Sequence, residues 1–316
     1  MIIIKKYTNN FKNIWDQFVK NNTFSTIYHL RIFLDYHPIN RFSDNSILIY
    51  DNDILICTLP CCKKDDKYFS YSGSTYGGPV IHNNWTKIDK MKIIIDKIFE
   101  YYENKIEFRL ANDIYFSEEI KLLYFLLSQK LNIKPELSWY IKSNDEFINK
   151  INNKRNKKNL EKMIKNDIIK CFITTNNDDY TQFYNILKIN LNKNHNTNPT
   201  HTLEEFLDIK ERIKDYIYLF IVKEQEHILG GVFTIKVTDK CLYTFYITKN
   251  IEYNTCAVIY AMYTISLFAK ENNIKYVDYG ISTENYGKDI NIGLSDYKQN
   301  TLGGLASSRY LFLNEF

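Results

Sequence analysis

Apolar residues recur along the chain with two different periods, and these sort it into strands and helices. Ser46 to Tyr50 and Ile54 to Leu59 are apolar runs split by Asp51-Asn52-Asp53, the pattern of a β-hairpin with an acidic turn. Tyr68 to Tyr71 predicts a third strand, which runs into a loop bearing Gly73, Gly77 and Gly78. Ile88, Met91, Ile94, Ile95 and Ile98 then recur at helical spacing, and the strand Ile106 to Leu110 follows.

The second half repeats this order. Tyr216 to Val222 and His227 to Ile235 flank the polar turn Lys223 to Glu226, Leu242 to Thr248 is the third strand, and a helix over Thr255 to Glu271 precedes the strand Tyr276 to Tyr279. The hairpins and the last strands are offset by the same distance (217 − 47 = 170; 276 − 106 = 170), which points to a duplicated unit. Further helices are expected over Phe11 to Lys20, Ser25 to Tyr36, Phe147 to Lys165, Asp178 to Leu191 and Leu203 to Arg212. Leu137 to Ile141 reads as a strand, and a boundary at Ser143 to Lys150 gives domains 1–145 and 146–316. Hairpin, third strand, helix and parallel strand make an α/β (α+β) fold, each half a mixed, mostly antiparallel sheet flanked by helices.

Composition adds limits to this picture. The 316 residues suit two domains, and 45% hydrophobic with 16% aromatic content is enough to fill both cores, which excludes a disordered chain. The net charge of +4 arises from 41 basic and 37 acidic residues spread along the chain, too balanced for a dedicated nucleic-acid binder. A local basic stretch, Lys154-Arg155-Asn156-Lys157-Lys158 with Lys162 and Lys165, fits either a solvated helix face or an anion contact. The six cysteines show no Cys-x-x-Cys spacing and there is no His-x-x-x-His pair, so no metal is expected. Met1 to Ile4 is too short for a signal h-region and no apolar run approaches the roughly 20 residues of a membrane span. The expectation is a cytoplasmic protein with reduced thiols and no integral membrane contact.

Several segments together resemble a known family. They are His29 to Pro38 with Arg41-Phe42, the loop Gly73 to Gly78, Arg155-Asn156, Pro199 to Glu205, Gly230-Gly231, and above all Tyr279-Gly280-Ile281-Ser282-Thr283-Glu284-Asn285-Tyr286-Gly287 with Asn291 to Leu294 and Lys298. The family is the GNAT superfamily in its tandem form, typified by Fem-type aminoacyl transferases and proteins of bacterial polysaccharide clusters. The resemblance implies transfer of an acyl or aminoacyl group from acyl-CoA or aminoacyl-tRNA to an amine. The acceptor it implies is a nucleotide-linked or carrier-linked amino sugar of surface glycan biosynthesis. One departure concerns the donor. GNAT enzymes hold the CoA pyrophosphate on a glycine-bearing loop before a helix, and here that stretch, Lys249 to Cys256, has no glycine and includes Glu252. The helix start at Asn254 or Thr255 still fits a phosphate. A binding protein of this fold that has lost its donor site is the alternative.

Amine acylation needs a base for the nucleophile's proton and groups that stabilise the oxyanion. Glu284, beyond a strand end, fits the base and equally fits a carboxylate capping the turn at Ser282-Thr283. His201, just before a helix capped by Thr202, fits the base or a packed imidazole. Tyr246, near the end of the third strand, is the preferred proton donor among the tyrosines. Arg31, Arg41 and Arg155 fit a diphosphate or carboxylate, or ordinary ion pairs. Tyr76, Ser282, Thr283 and Tyr286 complete the expected substrate contacts.

Overall fold

The computed structural model describes residues 1–38, 41–143 and 146–314. In the first half the strands are β1 (Ile2–Lys6), β2 (Ser43–Asp44), β3 (Ile47–Asp51), β4 (Ile54–Leu59), β5 (Cys62–Lys64), β6 (Lys67–Phe69), β7 (Val80–Ile81), β8 (Ile106–Arg109) and β9 (Asn132–Lys142). The helices there are α1 (Lys12–Asn21), α2 (Arg31–Leu34), α3 (Ile88–Tyr101) and α4 (Ile120–Ser128). The second half holds α5 (Phe147–Lys150), α6 (Lys154–Ile164), α7 (Asn177–His195), α8 (Leu203–Arg212), α9 (Ala257–Glu271) and α10 (Ile292–Asp296). Its strands are β10 (Ile169–Thr174), β11 (Ile217–Glu224), β12 (His227–Thr238), β13 (Cys241–Lys249), β14 (Tyr276–Ile281), β15 (Thr283–Glu284), β16 (Asp289–Ile290) and β17 (Leu305–Leu313).

Two compact units result, and both are discontinuous in sequence. Unit 1 comprises residues 1–137, 283–289 and those after 307; unit 2 comprises 138–282 and 290–307. The expected cut at 145/146 therefore separates the chain differently, because the last strand returns to unit 1 and the end of β9 belongs to unit 2. Order along the chain cannot reveal such an exchange, since any strand with the right apolar pattern suits either sheet.

In unit 1, β1, β3 and β4 form an antiparallel ladder, and Asn52 turns the β3–β4 hairpin with φ 52°. β5 and β6 pair antiparallel, β6 runs parallel to β8, and Leu311 and Phe312 of β17 pair antiparallel with β8. The α3 stripe buries Met91, Ile94, Ile95 and Ile98 beside Ile106, Phe108, Leu123 and Leu127, while Ile88 stays exposed at the helix start. The expected helix over Ser25 to Tyr36 is shorter: a 3-10 turn at Ile27–His29, closed by Thr26 and His29, gives way to α2 after Leu30 adopts an extended ψ of 140°. The side chain of Arg31, expected to meet substrate, is fully buried. Its guanidinium lies 3.4 Å from the Tyr7 ring centre and 4.3 Å from that of Trp15, and it pairs with Asp44 at 2.5 Å. Tyr76, also expected at the surface of a site, is buried with its hydroxyl 3.0 Å from that of Tyr115.

In unit 2 one continuous ladder forms: β10, β11, β12 and β13 are antiparallel neighbours, β14 runs parallel to β13, and residues 138–142 of β9 lie antiparallel to β14. The two faces are covered by different helices. Phe268 of α9 packs on Tyr218 and Phe220, whereas Tyr180 of α7 and Phe206 of α8 pack on Phe233. The helix expected over Phe147 to Lys165 is broken into α5 and α6, because the Asn153 side chain accepts a hydrogen bond from the Asn156 N–H and starts a new helix there.

Arg31 sets a test for unit 1. Asp44→Asn strands a buried guanidinium and is expected to cost about 2–3 kcal/mol, below a fully buried pair because Asp44 is partly exposed. Arg31→Met, which removes the charge together with its need for a partner, should cost less. Urea unfolding of both variants measures the order.

Candidate functional site

The site in unit 2 begins where two parallel strands stop pairing. β13 and β14 are in register only from Cys241↔Tyr276 to Tyr243↔Asp278, and beyond that the two strands part. Backbone irregularities on both outer sides promote this: the β12–β13 register shifts after Phe233, and the β14–β9 register shifts between Asp278 and Gly280. Gly280 has φ +74° and lies against Tyr243, where a Cβ would stand 3.2 Å from the ring, so both conformation and space favour glycine. Asp278, with no exposed surface, ties the fork together. Its carboxylate accepts from the Gly280 N–H at 2.6 Å and from the Ser138 hydroxyl at 3.3 Å, and its carbonyl accepts from the Thr244 hydroxyl at 3.1 Å.

The carbonyls freed at the end of β14 are met by Lys298. Its Nζ donates to Gly280 O at 3.0 Å and Ile281 O at 2.7 Å, and only 5% of the residue is exposed. Loss of water around the ammonium lowers its pKa from 10.5 to about 8, with the Asp278 charge opposing the shift.

At the far end of β13 the chain turns into α9. A cleft of about 770 Å³ opens there, lined among others by Lys249, Asn254, Thr255 and Cys256 and by Arg155 and Lys162 of α6. The first-turn N–H groups of a helix lack intrahelical partners and carry the positive end of its dipole, so this cleft is suited to an anion. The hydroxyl of Thr255 is buried without a hydrogen-bond partner among the described residues. Gly230 allows the helix to start this close to the sheet, since a Cβ there would stand 3.1 Å from that of Ala257 and 2.9 Å from Thr248 O. The loop without glycine thus still forms a cleft, and α6 supplies its cations.

On the face covered by α7 and α8, His201 and Tyr246 meet, with Nδ1 and the phenolic oxygen 2.7 Å apart. The Tyr184 hydroxyl holds the His201 carbonyl at 2.8 Å, and the next residue, Thr202, forms a reciprocal capping box with Glu205 at the start of α8. Burial raises the Tyr246 pKa to about 12, so its phenol keeps its proton at neutral pH.

The expected residues are thus divided. Unit 2 brings Arg155, Asn254 and Thr255 to one cleft and His201 to Tyr246, and places Ser282 just beyond β14 with its hydroxyl buried and without a partner among the described residues. Thr283, Glu284 and Tyr286 belong to unit 1, where Glu284 is exposed and Tyr286 lines a separate cavity with Arg41. Arg31 and Tyr76 are core residues of that unit. Sequence reading passed over Asp278 and gave Lys249 and Lys298 no role beyond the segments that hold them, whereas Lys162 belonged to the basic stretch read as a solvated face or an anion contact. Lys and Asp are common throughout the chain; burial at the strand fork distinguishes Asp278 and Lys298, and the exposed Lys249 and Lys162 stand out by the cleft they line. Among the described residues no group of three or more His, Cys, Asp or Glu side chains is placed to hold a metal, and no helix is long and apolar enough to cross a membrane.

No family model matches the chain, and no curated protein matches it. Solved structures do. FemX aligns over 99% of this chain and 97% of its own, with a TM-score of 0.69 at 12% identity. L-PGS from Bacillus licheniformis aligns over 86% of this chain and 84% of its own, with a TM-score of 0.57 at 9% identity. A tandem GNAT protein from the clavulanic acid biosynthesis pathway aligns over 99% and 98%, with a TM-score of 0.51 at 5% identity. The fold is that of tandem GNAT-like domains. At these identities the likeness is one of fold.

Lys298 gives a test that is independent of substrate. Between pH 8 and 10.5 the unfolded chain keeps this proton and the folded chain releases it, so stability from this residue rises with pH through that window, by about 3 kcal/mol. Urea unfolding of the wild type should show this gain relative to Lys298→Met. Parallel pH curves for the two proteins would remove the assignment.

Proposed function

We propose that the protein is a transferase that moves an acyl or aminoacyl group from a phosphate-bearing donor to the amine of a sugar or sugar-linked precursor. The cleft at the start of α9 carries this reading: helix N–H groups, Lys249, Arg155 and Lys162 converge there on a place for a polyanion. Lys249 lies three residues beyond Tyr246 on β13, about 10 Å along an extended strand. A donor with its phosphates in the cleft can lay its reactive end along β13 toward the fork.

In the reaction the acceptor amine attacks the carbonyl carbon of the donor ester or thioester, and the C–N bond forms as the C–O or C–S bond breaks. His201 takes the amine proton. The Nδ1 proton passes to the Tyr246 oxygen across their 2.7 Å contact, and the phenol gives its own proton to the leaving group. Asp278 and Lys298 act by positioning, because they hold the ends of the fork open. The sugar acceptor rests on the resemblance of the segment around Tyr279 to Gly287 to polysaccharide-cluster proteins.

The basic face of α6 extends past the cleft through the exposed Lys154, Lys158 and Lys165. That favours aminoacyl-tRNA, whose phosphates exceed what the cleft can hold, over acyl-CoA. Acyl-CoA is the second reading, favoured by the orientation of the α9 start.

Titration of the protein with aminoacyl-tRNA and with acyl-CoA over a range of salt separates them. For tRNA the affinity should fall steeply with salt, and Arg155→Ala should lower the slope by about 1. Binding of acyl-CoA with a shallow salt dependence would select the second reading, and binding of neither would turn the reading to a protein that has lost its donor site. Tyr246→Phe should slow single-turnover transfer by about 10²-fold or more with little change in donor affinity. Unchanged turnover would exclude the relay.

A further inference from the structure

The ladder of unit 2 ends in an open strand. It runs from β14 through β13, β12 and β11 to β10, and among the described residues no strand pairs with the other side of β10. An edge strand offers a row of backbone N–H and C=O groups to any chain that can pair with it, and folded proteins usually blunt such edges with charges, proline or a bulge. β10 does little of this. Its sequence, Ile169-Lys170-Cys171-Phe172-Ile173-Thr174, has one charge and no proline, and its pairing with β11 runs without a bulge.

The edge is apolar instead. Phe172 is 40% and Ile173 38% exposed, and Ile168, just before the strand, is 56% exposed. Ile173 pairs with Phe220, which packs against Phe268 of α9, so it lies on the α9 face of the ladder. On the same face, two residues earlier, the Cys171 thiol shares a hydrogen bond with the Thr264 side chain of α9, and one turn along that helix Leu267 is 41% exposed. Four large apolar side chains thus border one strand edge, and such a patch marks a contact with another protein.

We propose that this edge joins two copies of the chain, β10 pairing antiparallel with β10 of the second copy about a two-fold axis at Phe172. In this register the strand is its own complement. Phe172 faces Phe172 and Cys171 faces Ile173, so apolar groups meet on both faces of the sheet. Lys170 falls opposite Thr174 and Asp167 opposite Asn177, so no like charges oppose each other, and the exposed Lys165 before the strand is carried toward the exposed Asp178 after it. Neighbouring registers lack this fit: an axis at Lys170 sets that lysine against itself, one at Cys171 gives Phe172 a lysine as its neighbour, and one at Ile173 brings Asp167 against Asp179. The axis closes the assembly at two chains, with the two ladders forming one continuous sheet. A six-residue strand and four apolar side chains make a patch smaller than the ~800 Å² per partner of a standard interface, so the dissociation constant should be micromolar. The inference is independent of the transfer reading, because association is measured without substrate.

Sedimentation equilibrium of the full chain with its thiols reduced tests it. The mass should rise from one chain to two as the concentration passes through the micromolar range. Phe172→Asp puts two carboxylates on the axis in place of two rings and should weaken association about tenfold or more, whereas Phe125→Asp, at an exposed phenylalanine of unit 1, should leave it unchanged. Phe172→Cys reads the register directly. Residues facing each other across an antiparallel pair have Cβ atoms about 5 Å apart, close enough for a disulfide, so mild oxidation should link two chains of this variant and not of the wild type, whose Cys171 faces Ile173. A chain that stays monomeric up to about 1 mM, a dimer that Phe172→Asp leaves intact, or a dimer in which Phe172→Cys fails to cross-link would overturn the proposal. The cysteine variant, a smaller change at an exposed position, keeps the test decisive if Phe172→Asp fails to fold.

Discussion

The parting of β13 from β14 is the constraint on which unit 2 depends. Parallel strands normally continue to exchange hydrogen bonds, and here the exchange stops after Tyr243↔Asp278. The backbone groups so released need other partners, because an unsatisfied buried polar group costs about as much as a lost hydrogen bond. Asp278 satisfies the Gly280 N–H, and Lys298 satisfies the carbonyls of Gly280 and Ile281. Burying an ammonium is itself unfavourable, which is why its pKa falls toward neutrality. The fork is therefore maintained against a cost, as is common where a fold keeps open a place for a ligand.

From that fork the remaining features of unit 2 follow. β13 continues, paired with β12 but no longer with β14, past Tyr246 to Lys249 and delivers the chain to the start of α9. Gly230 permits the helix to begin close to the sheet, and α6 lies where Arg155 and Lys162 reach the same cleft. The opposite face carries α7 and α8, and the cap of α8 fixes His201 against Tyr246. The cleft at the start of α9 and the hydrogen-bonded His201–Tyr246 pair thus occupy successive stretches of one strand.

Unit 1 differs: β1, β3, β4 and β7 form a sheet of their own, apart from the ladder of β8, β6, β5 and β2. Its parallel pair also ends early, at Phe69↔Glu107, but the chain then makes a tight turn through Tyr71 clamped by Cys62 and Ser72. The chain between β6 and α3 forms the short strand β7, which pairs with β4, and the cavity beside β6 is lined by aromatic rings and cations.

Much of this was legible in the sequence. The hairpins, the third strands, α3 from its stripe of Ile and Met, α9, and the capping box at Thr202 and Glu205 are local patterns, set by residues within a few positions of one another. The segments around Pro199 to Glu205 and Tyr279 to Gly287 carried the resemblance that the fold bears out, and His201, Tyr246 and Arg155 were named from them or from their places on elements. What the sequence could not decide depends on distant contacts. Arg31 looked like an anion binder until Tyr7, Trp15 and Asp44 enclosed it. Glu284 and Ser282, two residues apart, fall in different units, and β9 and β17 each end in the unit opposite to the one their position suggests. Lys298 is one lysine among many until the fork surrounds it with carbonyls. Periodicity determines which residues are turned inward, and only the tertiary structure decides which of the buried charges hold the fold together and which remain beside open space.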